Sequence, residues 1–194
     1  MKILLALTLL PILASPVTAA ALRINLVPWG PAVPAVLDFL KNGLQQEFAA
    51  EVIQSEALPL PATAYDSRRR QYQAETFLPL LAPHRQSPRD LVLGVTGVDL
   101  YVPGLNFVFG LADPGQRCAI ISLARLNPEV YGLPSAPRLF KERALKEAVH
   151  ELGHLLGLGH CANPSCIMFF SNSLADTDRK GPGFCPDCRR RLER

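Results

Sequence analysis

The stretch His150 to His160, HELGHLLGLGH, constrains this chain more than any other. On a helix, where successive side chains turn by roughly 100°, His150 and His154 lie one turn apart on one face, and two imidazoles can reach one ion. Glu151 stands beside them. Leu145, Ala148, Val149, Leu152, Leu155 and Leu156 recur at steps of three and four and form an apolar stripe roughly opposite the histidines. The stripe is expected to pack, and the histidines to face a cleft. Gly157 can end the helix in a left-handed conformation, and a chain that turns there can bring back His160 as a third ligand.

Three ligands leave one coordination position open. That is the mark of a catalytic rather than a structural zinc, because water can bind there and be activated. Glu151 is then the natural base, placed to take a proton from that water while the metal polarises a scissile carbonyl. A lone helical histidine is usually a surface or core residue, and the short pattern H-E-x-x-H arises by chance in unrelated chains. The extended pattern H-E-x-x-H-x-x-G-x-x-H is far more restrictive.

Cys161 follows His160 directly, and Cys166, Met168, Cys185 and Cys188 come after it. The two close cysteine pairs offer four thiolates that can close a tetrahedron around a structural zinc. In an exported chain the same residues could instead form one or two disulfides. The CPDC segment lacks the strand and helix context of a thioredoxin-like site. Cys118, inside the apolar run CAIISLARL, reads as a buried free thiol. Met168 is the chain's second methionine, the other being the initiator, and its plain reading is core filling.

The long histidine motif, followed at once by HCANPSCIM and later by CPDC, resembles the archaemetzincin family of metzincin-clan zinc metalloproteases. The order and spacing of the motifs match, over a region from residue 21 to residue 194. The resemblance implies an α/β (α+β) class, zincin-like metzincin fold. In it a mixed sheet with packed helices forms an upper lobe, above a small zinc-stapled lower lobe. It implies two zinc ions per chain: a catalytic one on His150, His154 and His160, and a structural one on Cys161, Cys166, Cys185 and Cys188. Glu151 would be the base, and Met168 the residue of the turn beneath the metal.

Residues 1–20 run from Lys2 through ILLALTLLPILA to Pro16 and small residues, which reads as a secretory signal peptide with cleavage near Ala20. The expected location is secreted or periplasmic. The alternatives are an uncleaved membrane anchor, which Pro11 and Pro16 disfavour, or a cytoplasmic product. Residues 21–194 are expected to form one metallopeptidase domain. LRINLVP suits a buried strand, and Val36, Leu37, Leu40, Leu44 and Phe48 mark a helix over 33–48. A strand is expected within 51–60, and a helix in the second half of 64–81 with Tyr72, Leu80 and Leu81 packing. Strand-like runs follow at 90–100, at 106–112 and from Cys118, and a C-terminal helix from Pro186 to Arg194.

A net charge of +3, with basic residues scattered apart from Arg68 to Arg70 and Arg189 to Arg191, excludes an electrostatic case for nucleic acid. The Arg68 to Arg70 run reads first as a solvated face and is left without a role. No stable membrane association is expected after leader removal, and a monomer is expected. The leading reading is a zinc metallopeptidase acting on a peptide or protein laid along the edge strand NFVFGLAD. The alternative is a non-catalytic, zinc-stabilised module that binds a peptide or partner. The intact carboxylate of Glu151 beside an open metal position favours the enzyme.

Overall fold

The structure, a computed structural model, describes residues 22–30 and 34–193, so the proposed leader lies outside the described residues. Strand β1 (Arg23–Trp29) opens the fold and is buried along nearly its whole length. Helix α1 (Pro34–Phe48) follows and returns the chain to β2 (Glu51–Gln54), which pairs parallel with β1. The strand stops at Gln54. Beyond it Ser55 N–H still donates to Leu26 O and Leu58 bridges Trp29, and the ladder goes no further because Pro59 and Pro61 have no N–H to give it.

Three further strands complete the sheet: β5 (Leu91–Thr96), β7 (Gly110–Asp113) and β8 (Cys118–Ser122). The order is β2-β1-β5-β8-β7, parallel throughout except for β7, which runs antiparallel to β8 and ends the sheet. Runs such as RINLVPW and LVLGVT do not alternate in polarity because both faces are covered. Ile24, Leu26, Leu91, Leu93, Ala119 and Ile121 face α1 and helix α3 (Pro137–Leu155), whereas Val27, Trp29, Val92, Cys118 and Ile120 face a second apolar cluster around Phe77 and Leu81. Full burial of one such side chain contributes about 1.5–3 kcal/mol, so the two clusters hold the sheet from both sides.

The segment 64–81 differs from the helix expected there. Tyr65–Asp66 (β3) and Gln71–Gln73 (β4) form a hairpin, and β4 pairs parallel with β6 (Leu100–Tyr101) in a separate three-stranded sheet. Tyr72 is therefore a strand residue, its ring 5.0 Å from that of Tyr65, and Arg68 to Arg70 lie in the hairpin connection. Only Leu78–Leu81 is α-helical (α2), with Leu81 buried and Leu80 exposed. Cross-strand pairing decides the conformation here against local propensity. The run 90–100 likewise divides into β5 and β6, and the run from Asn106 becomes a strand only at Gly110.

The C-terminal part is short. Helix α4 (Leu174–Arg179) starts with a capping box between Ser173 and Asp176, and α5 (Pro186–Leu192) ends before the residues at which the sequence placed its end. Arg143 of α3 donates two bonds of 2.7 Å to the Asp178 carboxylate, and Lys146 Nζ donates to the carbonyls of Thr177 and Asp178. These contacts dock α4 against the helix that carries the histidine motif. Among the described residues no helix is long and apolar enough to cross a membrane.

Candidate metal centre

Helix α3 carries His150, Glu151 and His154, and its second half is mostly buried. Of the expected apolar stripe Ala148, Val149, Leu152 and Leu155 are buried and Leu145 and Leu156 half-buried against the same core, and Ala144, His150 and Glu151 are buried as well. The helix ends where the sequence indicates. Gly157 has φ +88°, with Leu158 N–H donating to Gly153 O and Gly157 N–H to His154 O, the paired bonds of a Schellman cap. That turn brings His160 back, its ring centroid 5.4 Å from His150 and 4.8 Å from His154.

The hydrogen bonds fix the imidazole tautomers. His150 Nδ1–H donates to Ile167 O and His154 Nδ1–H to Leu158 O, both at 2.8 Å. Each Nε2 is then left with a lone pair, and the two Nε2 atoms lie 3.1 Å apart. Two lone pairs facing each other repel unless a cation sits between them. Burial, joined by the ammonium of Lys180, lowers the pKa of His150 to about 3, and burial likewise lowers His154 and His160. All three shifts favour the neutral ring, the form that binds metal, and the donor atoms lie within 4.8 Å of one another. Zinc at about 2.0–2.1 Å from each nitrogen fits such a set.

Glu151 reaches the cleft on the side of β7. A Cβ added to Gly110 would come within 2.6 Å of Glu151 Oε1 and 2.8 Å of its Cδ, so glycine here leaves the Glu151 carboxyl room to lie in this position. Burial pushes the Glu151 carboxyl up to about 8, the charge of Glu147 adding to the rise and that of Lys180 opposing it. Met168 is fully buried, and its sulfur occupies the space that a side chain at Gly153 would need. The methionine therefore packs against α3 at Gly153, the residue before its second histidine.

Cys161, Cys166, Cys185 and Cys188 also converge, their sulfurs within 4.8 Å of one another and those of Cys161 and Cys185 3.9 Å apart. Four thiolates about 2.3 Å from one zinc would be spaced in this way, whereas a disulfide requires about 2.05 Å. The backbone N–H of Cys188 lowers the Cys185 thiol to about 7, and burial raises Cys166 and Cys188. Cys118 lies apart in β8, fully buried and raised to about 11 by that burial.

Sequence reasoning missed Gly110, Glu147, Thr177 and Lys180. Glu147 lies one turn before Glu151, so 147, 150, 151 and 154 form a polar stripe that the motif alone does not display. Lys180, with no exposed surface, sits 2.9 Å from Glu147 Oε1, which also accepts from Thr177 Oγ at 3.0 Å. The ammonium is close enough for an ion pair but poorly aimed for a hydrogen bond, so the attraction is chiefly Coulombic. The residues around the histidines enclose a cleft of about 790 Å³. One wall is the segment from Val102 to Ala112, which includes the expected edge strand.

Comparison with known proteins agrees with this geometry. The sequence profile of peptidase family M54 matches residues 33–194. An archaemetzincin from Pyrococcus furiosus is 51% identical over 176 residues, covering 88% of this chain and 92% of that protein. Among solved structures, an archaemetzincin from Archaeoglobus fulgidus complexed with malonate is 40% identical, with a TM-score of 0.76 over 87% of this chain and 99% of that one. A zinc-dependent peptidase from Methanocorpusculum labreanum is 34% identical, with a TM-score of 0.80 over the same shares. The mixed sheet, its helices and the two converging ligand sets thus belong to a chain of peptidase family M54, a zinc metallopeptidase of the archaemetzincin type.

Proposed function

We propose that the chain hydrolyses peptide bonds at a zinc held by His150, His154 and His160, with Glu151 as the general base. A second zinc on Cys161, Cys166, Cys185 and Cys188 has a structural role. The observation that carries this reading is the locked pair of Nε2 lone pairs 3.1 Å apart, with the Glu151 carboxylate beside them against β7. When bound, zinc supplies a Lewis acid that polarises the carbonyl and makes water more acidic.

The protein's own groups do the rest. The carbonyls of Ile167 and Leu158 orient the imidazoles, as outer-shell acceptors do in metal sites. Gly110 lets the Glu151 carboxylate lie beside the rim strand, where a substrate backbone can pair with the open edge of β7. Glu151, whose carboxyl burial raises to about 8 and the charge of a bound cation would bring back down, would take a proton from water as the water oxygen bonds to the carbonyl carbon. It would pass that proton to the nitrogen as the C–N bond breaks; the second water proton follows, leaving a carboxylate and an ammonium. Met168 supports the floor of the site.

Metal analysis with thiol titration on the purified protein, together with mass spectrometry of a peptide library, tests this reading. Two zinc ions per chain and cleaved peptides are expected. One zinc with four oxidised cysteines, or no cleavage by the zinc-loaded protein, would overturn the corresponding half. Gly110→Ala gives a finer check. The added methyl pushes the base aside, and a displacement of this kind costs about a hundredfold in rate while the zinc content stays at that of the parent. A Gly110→Ala protein as active as the parent would show that Glu151 is not held by the rim.

A further inference from the structure

The hairpin arginines, without a role in the sequence, stand behind the cleft. Between Tyr101 and Val108 the chain crosses the cleft mouth outside any strand, and Leu105, Phe107 and Val108 line the cleft. Its own backbone gives it little support: a turn from Leu105 N–H to Val102 O, and one bond from Val108 N–H to Leu100 O. Side-chain donors to its carbonyls come from the second sheet. Arg69 Nη2 donates to Leu105 O at 2.8 Å and to Asn106 O at 2.9 Å, and Gln71 Nε2 donates to Asn106 O at 2.9 Å.

These two side chains are themselves held. Arg69 Nε donates to Gln71 Oε1, and the Arg69 guanidinium lies over the Tyr101 ring at 4.3 Å. Asp66 Oδ1 accepts from the N–H groups of Arg68 and Arg69, which shapes the hairpin connection that carries Arg69. Asp99 accepts from Gln71 Nε2 and from two nitrogens of Arg125, at 2.7–2.9 Å. The Arg125 guanidinium in turn lies 4.4 Å from the centre of the Phe107 ring, and Phe107 packs edge-on against Phe109. One polar cluster therefore fixes both the backbone and the aromatic face of the wall.

We propose that Arg69, together with Gln71, Asp99 and Arg125, is a positioning residue that sets the cleft wall for a substrate side chain of apolar chemistry. This rests on the hydrolytic reading above. Loss of the cluster frees the wall and weakens substrate capture, while the groups on α3 that break the bond stay in place. Arginine is suited to the task because one planar fork can reach two carbonyls and a glutamine while stacking on a ring; lysine, a point donor, can replace only part of this.

The test uses the full zinc-loaded chain with Arg69→Ala and Arg69→Lys. The substrate is a peptide from a random library that the parent cleaves beside a large apolar residue. Hydrogen–deuterium exchange of residues 102–109 is measured in parallel. Expected for Arg69→Ala are a KM raised about tenfold with most of kcat retained, amides of 102–109 exchanging about tenfold faster, and unchanged zinc content and exchange in α3. Arg69→Lys should fall between the parent and Arg69→Ala. Equal exchange at 102–109 in Arg69→Ala and the parent would overturn the proposal, as would an unchanged KM. If the parent cleaves no peptide yet exchange rises, the anchoring holds and the hydrolytic reading is what fails.

Discussion

Glu151→Gln is expected to fold, to hold as much zinc as the parent, and to hydrolyse peptides about a hundredfold to ten-thousandfold more slowly, the range that general base catalysis typically supplies. The change preserves size and removes the proton acceptor. None of the converging donor atoms belongs to Glu151, so His150, His154 and His160 keep their geometry. The variant also relieves a strain. A buried carboxyl beside the charge of Glu147, pushed up to about 8, becomes a neutral amide, so stability should not fall. Single-turnover rates, metal content and urea midpoints of parent and variant measured side by side decide the matter. A Glu151→Gln protein with parental activity would remove the residue from the chemistry.

The second large effect is expected at the cysteines. Cys166→Ser should lower the urea midpoint sharply and make the chain beyond Cys161 sensitive to protease. Structural zinc in small domains contributes an apparent binding free energy of about 10–16 kcal/mol that is also folding free energy, against a total stability of typically about 5–15 kcal/mol. Cys166 is fully buried and its sulfur accepts from the Cys185 backbone N–H, so a smaller, harder oxygen ligand spoils both roles. Denaturation with and without a chelator checks the effect. An unchanged midpoint, with the remaining thiols oxidised in pairs, would restore the disulfide reading.

What could be read in the sequence was what short spacing determines. His150, Glu151 and His154 share a helix face whatever surrounds them, Gly157 marks the left-handed turn, and the two cysteine pairs lie close in the chain, so each local geometry carried its own evidence. The second sheet could not be read in this way. Tyr72 sits in a strand because it meets Tyr65 and the Asp99 carbonyl, and neither partner shows in a window around residue 72. Gly110 leaves room for Glu151, and Lys180 is buried on account of Glu147. Pairings across such distances along the chain leave no periodic trace. Arg68 to Arg70 looked like a solvated run because the two carbonyls that hold Arg69 belong to Leu105 and Asn106.

The carbonyl that orients His150 belongs to Ile167, whose own N–H donates to Gly183 O, while Cys161 N–H donates to Met168 O. The first imidazole of the motif is thus held by backbone made after the third. A chain growing from its N-terminus already contains His150, His154 and His160 when residue 160 is added, but His150 has no partner for its Nδ1–H. Its acceptor arrives with Ile167, and the Gly183 carbonyl that braces Ile167 comes later still. The motif alone does not complete the site: the aim of its first imidazole depends on backbone that follows its third.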